Sequence, residues 1–300
     1  MAHDHGAHAG RRRLGVAIVI VAVFLVIEVV GAALSGSLAL LADAGHMVSD
    51  LLGLVVALVA SVVAARPAND RNTFGFRRAE VFGALINGVL LTVVAVVVGV
   101  EAIVRLAQGE SHVAGVPMLI VAALALLANI ATALVLRGGA QDSINMRGAY
   151  LEVLGDLVGS LAAIVAGVVV VTTGFAAADS IASLAIAAFI LPRAILLLRE
   201  VVHVLAEAAP RGTDVDQIRE HILGTPGVVA VHDVHVWQIT SGAPVFSAHV
   251  VVQSAMLEKG FADDLLDHLR GCLTDHFDVE HSTFQLEPAE HADHEEHLHR

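Results

Sequence analysis

Asp43-Ala-Gly-His46-Met-Val-Ser-Asp50-Leu-Leu-Gly-Leu-Val-Val-Ala-Leu-Val-Ala-Ser-Val-Val-Ala64 is the stretch that decides the fold of this chain. With Ser37-Leu-Ala-Leu-Leu-Ala before it, the run Ser37–Ala64 exceeds the roughly 20 residues needed to cross a bilayer's hydrocarbon. It contains no proline and reads as a transmembrane helix. Yet it carries Asp43, His46 and Asp50, and ionisable groups inside a span are costly enough to be functional candidates by default.

Five more segments of this kind surround it: Leu14–Leu34, Val81–Leu106, Val116–Leu136, Gly148–Thr172 and Asp179–Leu198. Ser35–Gly36 separates the first two, so they form a tight hairpin. Composition agrees, with 56% apolar and 16% charged residues and a mean hydropathy of +0.76, far from soluble usage. Charge divides the chain. Residues 1–200 hold 13 acids against 12 arginines and residues 201–300 hold 17 acids against 5 bases, so nearly all of the net −13 lies in the last third. A bilayer part followed by an acidic, water-soluble part fits that division, and the acidic face excludes nucleic acid as a partner. The single Cys272 supplies no thiolate cluster, which leaves imidazole and carboxylate as metal ligands.

Arginine in the loops sets the orientation. Alternate connections carry Arg11–Arg13, then Arg66, Arg71, Arg77 and Arg78, then Arg137 and Arg147, then Arg193 and Arg199; the opposite set carries Arg105. The chain is therefore expected to be multi-pass in the cell (inner or plasma) membrane, with both termini cytoplasmic. Residues 1–13 read as a His- and Arg-containing cytoplasmic tail and residues 14–205 as the transmembrane domain. Residues 206–290 read as a soluble domain and residues 291–300 as a His-rich disordered tail. The first apolar run is too long for a cleaved signal and reads as a retained span.

In the soluble part, Thr213 is expected to cap a helix through Leu223. Gly227–Ile239 and Val245–Gln253 alternate as strands, Leu257–His276 has helical periodicity and Val279–Glu287 forms a third strand. This αββαβ order folds as a three-stranded sheet with two helices on one face.

Two spans share one spacing. His46 and Asp50 are four residues apart on the second, Glu152 and Asp156 four apart on the fifth. Side chains at i and i+4 project from one helix face. Two such helices facing each other present one imidazole and three carboxylates to a point, a ligand set suited to tetrahedral Zn²⁺. Intramembrane acids also serve as helix contacts or as a proton relay without metal, and that reading competes. Asp43 lies on the face of His46 as a supporting or access residue, and Glu28, Glu101 and Asp179 read as helix packing or proton access. Metal binding needs ionised carboxylates and neutral imidazole, so loading expels protons.

Several motifs resemble the cation diffusion facilitator transporters. The run Ser37–Asp50 is similar to that family's second span, and Asn145-Met-Arg-Gly-Ala-Tyr-Leu-Glu152-Val-Leu-Gly-Asp156 to its fifth. Supporting matches are Glu28 with Gly31, Thr73–Glu80, Glu101–Arg105, Ala178-Asp179-Ser-Ile-Ala-Ser, His232-Asp-Val-His235-Val-Trp237 and Ser247-Ala-His249-Val. The resemblance covers about residues 14–288 and implies a homodimeric metal/proton antiporter working by alternating access. It also implies a ferredoxin-like, metallochaperone-like cytoplasmic domain. Members selective for zinc usually carry histidine where Glu152 stands; glutamate there resembles the subgroup that handles zinc, cobalt and cadmium. The loop Arg137–Arg147 lacks the histidines that many relatives carry.

In the soluble domain, a turn near Ser241 puts His232 and His249 opposite each other, about 5 Å apart at Cβ. His281 and His268 are candidates to join them on a metal, with His235 expected to face away beside Trp237. Surface or interface histidines bonded to backbone are the competing reading. Rival functions are efflux of another divalent metal such as manganese, iron or nickel, an acid-lined channel, a membrane-anchored metal sensor, and an intramembrane metalloprotease. The last lacks an H-E-x-x-H signature.

Overall fold

The computed structural model describes residues 3–35, 38–108, 115–141, 143–175, 177–257, 261–277, 279 and 281–292. They fall into two compact units, Met1–Val201 and Val202–Arg300.

The first unit holds six long helices: α1 (His3–Ser35), α2 (Leu38–Ala64), α3 (Ala79–Gln108), α4 (Gly115–Leu136), α5 (Ile144–Thr173) and α6 (Ala177–Leu205), the last running a few residues into the second unit. Valine and leucine dominate their outer faces: Val19, Val26, Val97, Leu127, Val165 and Leu196 are all more than half exposed. Lipid solvates such side chains as well as a protein interior does, so close packing rather than burial joins the helices. The interior seam accordingly uses small residues among the large ones, with Leu14, Ala17, Leu54, Ala57, Leu136 and Ala149 in one buried cluster. Helix α1 begins at His3, within the segment 1–13 read as a tail. Leu14 is fully buried and the Arg13 guanidinium lies beside Gly138 and Gly139, so the helix is anchored at this level and its Ala- and Arg-containing start propagates.

Helix α5 has defined ends. The Ser143 side chain accepts from the Met146 amide at 3.1 Å, and Gly174, at φ 72°, donates its amide to the Val170 carbonyl. The cap of α5 is thereby set two residues before Asn145 and nine before Glu152.

The second unit contains α7 (Val215–Leu223), β1 (Val228–Gln238), β2 (Pro244–Val252), α8 (Phe261–Phe277), β3 (His281–Pro288) and α9 (Ala289–Ala292). The sheet order is β1-β2-β3, antiparallel then parallel. Its core joins Ile218 and Ile222 of α7, Leu265, Leu269 and Leu273 of α8, and Phe246, Ala248 and Val250 of β2. The αββαβ domain expected from the strand and helix periodicities is present. Three local differences stand out. Asp214, not Thr213, caps α7, because its extended backbone lets the carboxylate accept from the Asp216 and Gln217 amides, both at 3.1 Å. A 3-10 turn, Ser254–Leu257, precedes α8, which starts later than its periodicity suggests. Finally, β1 is bulged.

The bulge sits between the pairs His232↔His249 and His235↔Ser247, where Asp233 and Val234 oppose Ala248 alone. Asp233 takes φ 46°, a left-handed conformation that aspartate tolerates better than most residues. An extra residue inverts the alternation. Val231 and Val236 therefore both face the helices, paired with Val250 and Phe246. His232 and His235 consequently share the other face. The expectation that His235 points away from His232 assumed a regular strand and is corrected by this bulge.

Candidate metal sites

Glu152 and Asp156 lie one turn apart on one face of α5, and Glu152 reaches the α2 surface one turn from Asp50. Glu152 is 7% exposed. Its carboxylate lies so close to Gly53 of α2 that any Cβ at that position would overlap it. Glycine one turn past Asp50 thus opens the α2 surface for the α5 acid. Ser160, one turn beyond Asp156, donates to the Asp156 carbonyl at 2.9 Å and accepts from the Asn129 amide of α4 at 3.2 Å. The side chains of Glu28, Asp43, His46 and Asp179 lie outside the described residues.

A second constellation lies on the sheet face opposite to α7 and α8. The rings of His232 and His249 are 5.0 Å apart between centroids. Glu287 of β3 reaches both, with Oε1 2.7 Å from His249 Nδ1 and Oε2 3.3 Å from His232 Nε2. Glu287 is 1% exposed and also accepts from Gln285 Nε2 at 2.7 Å. His232 Nδ1 lies 3.6 Å from Asp233 Oδ2, which helps to orient the ring. Two nitrogens and one oxygen, with all three ligand atoms within 4.8 Å of one another, are a set that closes on a tetrahedral divalent ion with one position left open.

Residues 14–206 match the family model described as the cation efflux transmembrane domain, and residues 210–289 the model of the cation efflux protein cytoplasmic domain. The chain belongs to the cation efflux family. It is 38% identical over 298 residues to a metal cation efflux system protein, CzcD, of Cupriavidus metallidurans, covering 99% of this chain and 93% of that one. It is 35% identical over 293 residues to a cadmium, cobalt and zinc/H⁺-K⁺ antiporter of Bacillus subtilis, covering 97% and 93%. It is 38% identical over 296 residues to the zinc transporter ZitB of Escherichia coli, covering 96% and 93%.

In this cation efflux protein, two of the four histidines expected in the soluble domain come together and two do not. His281 has the right parity but the wrong level: it pairs with Val245, four residues before His249 on β2 and about 13 Å away along the strand. His268 is exposed on α8, and α8 packs on the sheet face opposite to His249. Glu287 takes the third position instead. It follows His281, Thr283 and Gln285 on the same face of β3, and only the parallel register with β2 reveals that it stands diagonally next to His249, one same-face position past the directly paired Gln285. The terminal histidines, His3 to His8 and His291 to His299, have side chains outside the described residues.

Proposed function

We propose that this cation efflux protein exports divalent cations, zinc with cobalt and cadmium, from the cytoplasm in exchange for protons. The observation that carries the reading is the packing of the Glu152 carboxylate against Gly53 of α2, one turn from Asp50, with Asp156 one turn along the same face of α5. His46, one turn before Asp50, completes the transport site as its nitrogen ligand. Three carboxylates crowded in a medium of low dielectric cannot all remain charged without a cation. An arriving ion therefore displaces protons, and protons arriving from the far side help to expel the ion. Alternating exposure of the site to the two sides turns that linkage into antiport. The relative that names cadmium, cobalt and zinc together with H⁺ supports the choice of ions and of coupling.

The family description of the soluble unit as a cytoplasmic domain, together with the arginine asymmetry, supports cytoplasmic termini in the cell membrane. The protein works as a homodimer. His232, His249 and Glu287 form a cytoplasmic metal site distinct from the transported ion's path. The remaining expectations for Asp43, Glu28 and Asp179, access and support of the transport site, stand as part of this proposal.

In sealed vesicles, an imposed pH gradient is expected to drive zinc against its own concentration gradient. The check is radiometric or dye-reported uptake with the pH at the cytoplasmic face held constant. A rate indifferent to the gradient rules out proton antiport.

For the soluble unit, which carries its own hydrophobic core, zinc at 100 times its dissociation constant is worth about 2.7 kcal/mol. That corresponds to a rise of roughly 10 °C or more in melting temperature for a domain of this size. Glu287→Gln, or His232→Ala with His249→Ala, is expected to remove most of that rise. Calorimetry with and without zinc makes the comparison; an undiminished shift in both variants places the ions elsewhere.

A further inference from the structure

We propose that Asn145 is a positioning residue that brings the two ligand-bearing helices of the transport site into level. The inference rests on the transport site proposed above. Asn145 is fully buried at the start of α5, and its Nδ2 donates to the main-chain carbonyl of Ala57 on α2 at 2.6 Å. Ala57 is itself fully buried. The other amide atom, Oδ1, has no hydrogen-bond partner among the described residues. A third helix shapes the pocket: a Cβ on Gly83 of α3 would lie 2.6 Å from Asn145 Oδ1 and 2.5 Å from the Ala60 Cβ. Glycine at 83 is what lets the amide lie flat between the three helices.

The geometry of α2 and α5 explains what this bond does. The second and fifth spans run in opposite directions. Seven residues back along α2 from Ala57 is Asp50, and seven forward along α5 from Asn145 is Glu152. Eleven residues in the same two directions reach His46 and Asp156. Seven and eleven residues are close to two and three full turns, so the positions stay on the facing sides and rise equally, by about 10 Å and 16 Å. Asp50 of α2 thus has Glu152 of α5, and His46 has Asp156, at its own height. The contact of Glu152 with Gly53 agrees, because helical side chains lean toward the N-terminus and Glu152 therefore covers α2 about one turn below its own Cα.

Stability alone does not account for an asparagine here. One net hydrogen bond returns less than a buried, unpartnered Oδ1 costs, and an apolar residue of the same size would avoid that cost. Leucine at 145 would pack but would leave α2 and α5 free to slide past each other. Ligands at a metal centre tolerate only fractions of an ångström of such displacement.

The test uses the full-length protein in proteoliposomes, with zinc as the probe. Asn145→Leu is expected to raise the KM for zinc about tenfold, the scale on which groups that orient metal ligands act. The ratio of zinc to cadmium transport should change with it, while turnover at saturating zinc per folded molecule falls by less. Asn87→Leu is the matched comparison: Asn87 is equally buried, on α3, and neither of its amide atoms is bonded among the described residues. It should leave the KM and the ratio as they are. If Asn145→Leu does not fold, Asn145→Ser, too short to reach Ala57, carries the same expectation. A wild-type KM and ratio at residue 145, alongside an inactive Asp50→Ala, overturn the clasp and leave the transport site standing. A KM shift of the same size in Asn87→Leu reduces the effect to packing and also overturns it. An active Asp50→Ala removes the site itself, and the clasp falls with it.

Discussion

Asp156→Ala is expected to lower zinc transport in proteoliposomes by about a hundredfold or more, with the protein still folded. Changing groups that merely orient metal ligands costs between about ten and a hundredfold, and Asp156 is proposed as a ligand. The loss should be selective for function. Asp156 is on α5 beside Ser160, whose hydroxyl bonds to the Asp156 main chain and not to its carboxylate, so alanine keeps that link. The helix retains its Ser143 and Gly174 caps and its buried contacts through Ala149 and Val153. Zinc binding by His232, His249 and Glu287 in the other unit should be unaltered, so the loss is confined to transport. Asp50→Ala should behave alike. Transport at the wild-type rate in either variant removes the proposed site.

Glu152→His is expected to narrow the range of metals carried. The present site offers at most one nitrogen and three anionic oxygens, a set hard enough to accept manganese beside zinc, cobalt and cadmium. Ligand type and geometry set selectivity more than affinity does, and imidazole favours zinc over manganese. The structure gives the substitution room: Gly53 leaves the α2 surface open where the Glu152 carboxylate now lies, and an imidazole Nε2 reaches about as far from Cα as a glutamate oxygen does. The preference for zinc over manganese in competitive uptake should rise by roughly tenfold or more, the scale of a tuned metal ligand. Equal selectivity ratios in the two proteins would show that residue 152 does not discriminate.

Much of this protein is legible one residue at a time. Hydropathy and arginine placement determined its class, because a bilayer imposes its length and its charge asymmetry on each span separately. The i,i+4 pairs His46/Asp50 and Glu152/Asp156 were equally legible, since one helix face is a local property. The αββαβ domain followed from alternation in 227–253 and helical periodicity after Leu257.

What the tertiary structure alone decided is register between separate elements. Glu287 belongs with His232 and His249 only because β3 lies parallel to β2 at one offset, with Gln285 opposite His249 and Glu287 diagonal to it; shift the register by two residues and Gln285 or Ala289 would stand at the diagonal position instead. His235 joins the histidine face only because Asp233 adopts a left-handed backbone and inserts a bulge. The level of α2 against α5, marked by Asn145 on the Ala57 carbonyl and by the openings at Gly53 and Gly83, is of the same kind. Periodicity reports which face a side chain is on, through backbone geometry that each segment carries within itself. It holds no record of how far one segment slides along another, since close packing between segments distant in the chain sets that displacement.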